Sequence, residues 1–437
     1  MKNTATLLML LFMCNTILGQ EVDFEEYDLK NGLHVILHQD STAPLVVTSV
    51  LYHVGSKDEQ EDRTGFAHFF EHLLFEGTEN IERGEWDLLV TSNGGTGNAF
   101  TSDDITYYYE VFPSNNLELS LWMESERMLH PVINEVGIKT QNEVVKEEKR
   151  ARYDNSPYGR WTEEVRKKLF VNHPYHRMPI GKMEHLDAAT LDEFKAFNKK
   201  YYTPNNAVLV IAGDINVDET KKMVSDYFST IPKGEKVTRN YPKDIPITEA
   251  LEAEAYDSNI QVPALFTAYR IPDKTTRESK ILDMVSTYLS DGNSSKLYRK
   301  LVDEQKMSLQ VAAFNISLEE YGMYVILTLP LGETSLASLR DEIDEEIEKI
   351  QTNLISQKDY EKLLNKFESN FVSSNASVEG IANSLAEYYI FYDDTNLINS
   401  EIDIYRSITR EEIRDVAKKY LNSNQRLTLN YLPGSKK

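Results

Sequence analysis

Apolar residues fall into short blocks of two different periods along the chain. "LHVILHQ" (Leu33 to Gln39), "APLVVTSVLYHVG" (Ala43 to Gly55) and "ITYYYEVF" (Ile105 to Phe112) are β-branched or aromatic runs, and they predict strands. Between them, "TGFAHFFEHLLFEGT" (Thr64 to Thr78) predicts one apolar helix stopped by Gly77. Helical spacing returns over Leu117 to Met128, Lys139 to Arg152 and Trp161 to Val171. Groups of strands with helices between them predict an α+β fold in which a sheet packs against helices.

The pattern also repeats. "TLDEFKAFNKKYYTPNNAVLVIAGD" from Thr190 aligns without gaps on "TREEIRDVAKKYLNSNQRLTLNYLPG" from Thr409. Thr190, Glu193, Lys199, Lys200 and Tyr201 fall on Thr409, Glu412, Lys418, Lys419 and Tyr420. An amphipathic helix, a turn and a strand therefore recur near the end of each half, which predicts a duplicated domain of two α/β sandwich halves. The stretch from Ser229 to Ala250 is proline-rich and weakly periodic, so it reads as a linker. The expected division is 1–20, 21–230, 231–250 and 251–437.

The first 20 residues form their own class. Lys2, the apolar run "LLMLLFM" and small Gly19 before Gln20 read as a cleaved signal peptide. Export to the periplasm or beyond is expected, with no membrane span after its removal. The single cysteine, Cys14, lies within that segment, so any metal in the mature chain falls to His and carboxylate ligands. The formal charge of −23 on 437 residues argues against nucleic acid and anionic membrane surfaces as partners.

The chemistry centres on the apolar helix from Thr64. His68 and His72 stand one turn apart and share a face, and Glu71 lies on nearly the same side. Two imidazoles and an adjacent carboxylate suit Zn²⁺ with a base beside it. Such a helix is apolar almost all round, so ionisable groups there need partners. A catalytic zinc wants a third protein ligand. In "TQNEVVKEEKRARYDN", Glu148 shares a face with Val144 and Val145, whereas Glu147 sides with Glu143 and Ala151. His173 and His176 in "NHPYHRMPIG" are rival ligands in a Pro-containing loop.

H-x-x-E-H, "VGSKDE" (Val54 to Glu59), "GGTGNAFTSDDITYYYE" and "YYTPNNAVLVIAGD" together resemble the pitrilysin or insulinase family of inverted-motif zinc peptidases, over essentially the whole mature chain. The resemblance implies a duplicated α+β fold of pitrilysin-like type and a zinc endopeptidase. It makes His68 and His72 ligands, Glu71 the general base, and Glu148 the third ligand at the end of "QNEVVKEE". It also implies that an extended peptide adds to a sheet edge at "GNAFTS", with Asn98 and Ala99 as backbone contacts.

Two departures stand out. Gln141 occupies a place near the zinc site where the family usually has Glu. In the second half, active members resemble L-R-E-x-x-G-L-A-Y-S-V, whose Arg and Tyr hold the substrate carbonyl. Here "LVDEQKMSLQV" puts Val302 and Leu309 at those places, and aliphatic side chains cannot donate to an oxyanion. The resemblance then implies a two-chain enzyme, with a homologous subunit supplying Arg and Tyr. A homodimer, other donors (Tyr298, Arg299, Tyr321), and a non-catalytic core-like or peptide-binding subunit are the alternatives.

Overall fold

The computed structural model describes residues 21–434. The expected signal segment, 1–20, lies outside the described residues. The first half builds a six-stranded sheet from β1 (Glu25–Asp28), β2 (His34–Gln39), β3 (Leu45–Tyr52), β4 (Thr96–Thr101), β5 (Thr106–Pro113) and β6 (Ala207–Gly213), in the order β1-β2-β6-β3-β5-β4. The second half builds a five-stranded sheet from β7 (Leu251–Asp257), β8 (Ala264–Ile271), β9 (Ser308–Ser317), β10 (Gly322–Pro330) and β11 (Arg426–Pro433), in the order β7-β11-β8-β10-β9.

The two orders superimpose once β1 is set aside. β2 pairs parallel with β6 as β7 does with β11, and the remaining neighbours are antiparallel in both sheets. The duplication extends to detail. Helices Leu191–Tyr201 and Arg410–Tyr420 each open on a capping box, Thr190 with Glu193 and Thr409 with Glu412. Each capping glutamate also takes an arginine from the neighbouring helix start: Arg63 on Glu193 at 2.9 Å and Arg277 on Glu412 at 2.7 Å.

Each half covers the other's sheet. One face of the first sheet packs on its own helices through Phe66, Phe69, Phe70, Leu121 and Phe194. Its other face, with Ile36, Val47 and Val210, is closed by Ile381, Leu385 and Tyr388 of helix Val378–Tyr392 from the second half. Reciprocally, Val165 and Leu169 of helix Trp161–Leu169 in the first half cover Phe266, Met323 and Leu429. A sheet apolar on both faces needs two layers of cover, and the exchange supplies the second layer from across the molecule. Residues 231–250 carry neither helix nor strand.

Candidate metal centre

The helix read as Thr64 to Thr78 is shorter in the structure, Phe66–Leu73. It opens at Gly65, whose φ of +94° only glycine adopts freely. It ends before Gly77 because Phe75 and Glu76 bond three residues back, to His72 and Leu73, which tightens the last turn. Phe66, Phe69, Phe70 and Leu73 anchor it. Phe66 stacks on Phe194 at 4.6 Å between centroids, and the Tyr108 hydroxyl donates to the Phe70 carbonyl at 2.8 Å. The polar residues are thereby turned toward the second helix, Glu135–Lys149.

That helix starts at Asn134, whose side chain accepts from the Gly137 N–H. Gly137 also permits the close crossing, since a Cβ there would lie 3.3 Å from the Leu73 side chain. Val145 is buried, but Val144, expected on the inner face with Glu148, is exposed. The narrow contact at Gly137 buries only the stripe of Gly137 and Val145, leaving Val136 and Val144 outward.

At the crossing, one nitrogen of His68, one of His72 and one oxygen of Glu148 lie within 4.8 Å of one another. Glu148 Oε2 is 3.5 Å from His68 Nε2 and 3.2 Å from His72 Nε2. Tetrahedral zinc with bonds of about 2.0–2.2 Å sets neighbouring ligand atoms roughly 3.3–3.6 Å apart, so the donor set fits the ion in identity, and the two carboxylate-to-imidazole distances lie close to that spacing. The imidazoles of His68 and then His72 hold the Glu148 carboxyl far below the usual carboxylate range. Glu148 Oε1, facing away, takes Arg152 at 2.8 Å.

The rival ligands are engaged elsewhere. Glu147 is exposed and pairs with Arg150 at 3.2 Å. His173 is buried against Tyr175, with its Nδ1 accepting the Tyr175 N–H, and His176 meets Glu61 at 3.1 Å. Glu71 is half-buried beside His72 and has no side-chain hydrogen bond or ion pair among the described residues. Gln141 makes no hydrogen bond to His68, His72 or Glu148 among the described residues. Its amide donates to Glu76 Oε1 at 2.5 Å, and Glu76 also holds Arg83.

Asn98 and Ala99 lie on β4, the free edge of the first sheet, opposite Tyr109 and Tyr108 of β5. The Ala99 N–H is taken by its neighbour's Asn98 Oδ1 at 2.9 Å rather than by the ladder, so it faces the open side. Val302 lies half-buried against the second core in a π-helical turn, Tyr298–Glu304, and Leu309 is exposed on β9, the corresponding edge of the second sheet. The sequence reading missed Arg152, whose i+4 spacing from Glu148 was its one signal.

A duplicated α+β sandwich with H-x-x-E-H on one helix and a carboxylate as candidate third ligand on a later helix crossing it is an arrangement that suits the inverted-motif metallopeptidases. The chain belongs to peptidase family M16, the insulinase family. Residues 34–181 match the model "Insulinase (Peptidase family M16)", and residues 188–367 match "Peptidase M16 inactive domain". The zinc protease PqqE of Helicobacter pylori is 29% identical over 408 residues, covering 93% of this chain and 92% of that protein. A protease crystal structure from Helicobacter pylori superimposes with a TM-score of 0.89 at 28% identity, over 94% of this chain and all of that one (100%). The periplasmic protease PqqL from Escherichia coli shares the fold with a TM-score of 0.77 at 19% identity, over 94% of this chain but 48% of that one. No helix among the described residues is long and apolar enough to cross a membrane.

Proposed function

We propose that the protein is a zinc endopeptidase acting on extended or unfolded polypeptides, and that it works as the zinc-bearing subunit of a two-chain enzyme. The observation that carries the reading is the convergence of His68, His72 and Glu148 beside Glu71, which is unpaired among the described residues. Zinc held by these three residues supplies Lewis-acid polarisation of the scissile carbonyl and a more acidic water. Glu71 takes the proton of the attacking water and passes it to the leaving amine. Substrate is held as an added strand on β4, where the Ala99 backbone faces the open side and the Asn98 side chain stands beside it. A helix would bury its own amides and cannot pair this way, so the substrate must be extended there.

Residues 21–230 hold the zinc site in this reading, and residues 251–437 serve as a pairing and structural half. Val302 and Leu309 supply no donor to a developing oxyanion, and the match to an inactive-domain model over 188–367 agrees with that division. A homologous subunit bearing Arg and Tyr supplies the missing donors. The 48% share of PqqL supports pairing, because this fold accounts for about half of that longer protease. PqqL is described as periplasmic, which supports export of this chain through residues 1–20. The non-catalytic alternative, a core-like or peptide-binding subunit, shares the fold but leaves the converged ligands and the free Glu71 without a role.

The test is cleavage of an unstructured peptide by the purified zinc-loaded protein, alone and mixed with a homologous subunit bearing Arg and Tyr. Slow turnover alone that rises on mixing supports the reading. Full turnover by the single chain refutes the two-chain part, and no turnover in either condition refutes the peptidase assignment.

A further inference from the structure

The segment "GSKDE", Gly55 to Glu59, has no part in the chemistry above, yet it touches three parts of the site's framework. At one end, Glu59 is buried at the start of the zinc-motif helix. Its Oε2 accepts the Gly65 N–H and its Oε1 the Ala67 N–H, both at 2.9 Å. Gly65 has no side chain to cap the helix, so a carboxylate from six residues away satisfies two of its orphan donors. Ala67 directly precedes His68.

In the middle, the strap's backbone pairs with the turn that joins β4 to β5. The Ser56 N–H donates to the Ser102 carbonyl at 3.2 Å and the Lys57 N–H to the Asp103 carbonyl at 3.0 Å. A Cβ on Gly55 would stand 2.3 Å from the Asp103 carbonyl, so glycine is required by that approach. The fully buried Lys57 ammonium pairs with Asp104 at 2.9 Å and also with Glu319, which lies in the β9–β10 turn of the second half. Glu319 takes His53 at 2.7 Å, and its own N–H donates to Asp104 Oδ2 at 3.0 Å. Arg166 grips Asp103 with two bonds, of 2.6 and 2.9 Å, and the Tyr175 hydroxyl donates to Asp104 at 2.5 Å. The turns that end both edge strands, β4 and β9, therefore meet on one buried lysine.

We propose that Gly55–Glu59 is a common mount for the zinc-motif helix and the substrate-binding edge. Glu59 is the positioning residue for the helix and Lys57 the positioning residue for β4. The proposal rests on the zinc-peptidase reading, because it assigns the strap to that reading's two components. A strap that merely stabilised the fold would affect both components together. A mount with two separate fastenings affects them one at a time.

The test uses the full chain in a Glu71→Gln background, so that peptide is bound without being cut. Zinc affinity is read by chelator competition, and the affinity of a fluorescein-labelled unstructured peptide by anisotropy at saturating zinc. Glu59→Gln should weaken zinc about tenfold or more, in the range seen when partners orienting metal ligands are lost. It should leave peptide affinity within about twofold, as separate sites act independently. Lys57→Met should weaken peptide about tenfold and leave zinc within about twofold. Asp104→Asn, which removes the charge that Lys57 pairs with at the β4–β5 turn, gives the same reading should Lys57→Met fail to fold. Parallel loss of both affinities in each variant, or loss of neither, overturns the proposal. A parent protein that binds no zinc overturns the zinc-peptidase reading instead, and the two failures are thereby distinguishable.

Discussion

Replacing Glu71 with Gln separates a base from a ligand more cleanly than any other change at this site. The Glu71 side chain has no hydrogen bond or ion pair to lose among the described residues, and it is half-buried rather than enclosed. Gln has nearly the same volume and nearly the same helix propensity as Glu. Removing a negative charge from the C-terminal half of a short helix is slightly favourable to the helix dipole. The folded protein should therefore keep its stability to within about 0.5 kcal/mol, the range of substitutions that break no specific contact. Zinc should stay bound at one per chain if His68, His72 and Glu148 are its three ligands, as proposed, because the substitution leaves all three in place. Turnover should fall by about 10²–10⁴, the usual worth of a positioned general base, which raises the barrier by about 2.7–5.4 kcal/mol. The assays are metal analysis of the purified protein, a thermal melt, and cleavage of a quenched fluorescent peptide by the zinc-loaded protein mixed with the homologous subunit proposed above. Zinc and activity vanishing together would make Glu71 a ligand, and unchanged turnover would remove it from the mechanism. Either result would refute the reasoning.

Glu148→Gln should lower zinc affinity by about a hundredfold or more, because even partners one step removed from a metal contribute 10–100-fold; full occupancy at stoichiometric zinc would move the third ligand elsewhere. Val302→Arg with Leu309→Tyr should raise peptide turnover by the single chain, since one oxyanion donor is worth about a hundredfold or more, and an unchanged rate in a well-folded double variant would count against the division of labour between chains. Acid should loosen the joint between the halves. Burial raises the Glu319 carboxyl, but the hydrogen bond from His53 and the charge of Lys57 outweigh it, leaving it at about 2 against an ordinary 4.5. A depressed carboxylate stabilises the fold above its unfolded value, so this contribution is present above pH 4.5 and is lost as pH falls toward 2. Circular dichroism across that window should show Glu319→Gln unfolding with a shallower pH dependence than the parent, and identical profiles would contradict it.

Local periodicity determined much of this protein before any tertiary contact was known. His68, Glu71 and His72 face together because a helix repeats every 3.6 residues, which holds wherever the helix is placed. The same is true of the capping boxes at Thr190 and Thr409, whose four-residue signature is complete within one turn and whose Thr and Glu are among the aligned positions that reveal the duplication. Choices between neighbours on one helix were not local. Glu148 and Glu147 differ by one position, and only the crossing with the motif helix at Gly137 turns the first toward the imidazoles and leaves the second with Arg150. The same crossing exposes Val144, because helices meeting at a point bury a narrow stripe rather than a whole face. The free edge at β4, the exchange of helices Trp161–Leu169 and Val378–Tyr392, and the meeting of Lys57 with Glu319 all join residues far apart in the chain. No short-range pattern encodes those pairings. They follow from two sheets that each need cover on both faces, and from a buried lysine that must find its carboxylates wherever the fold brings them.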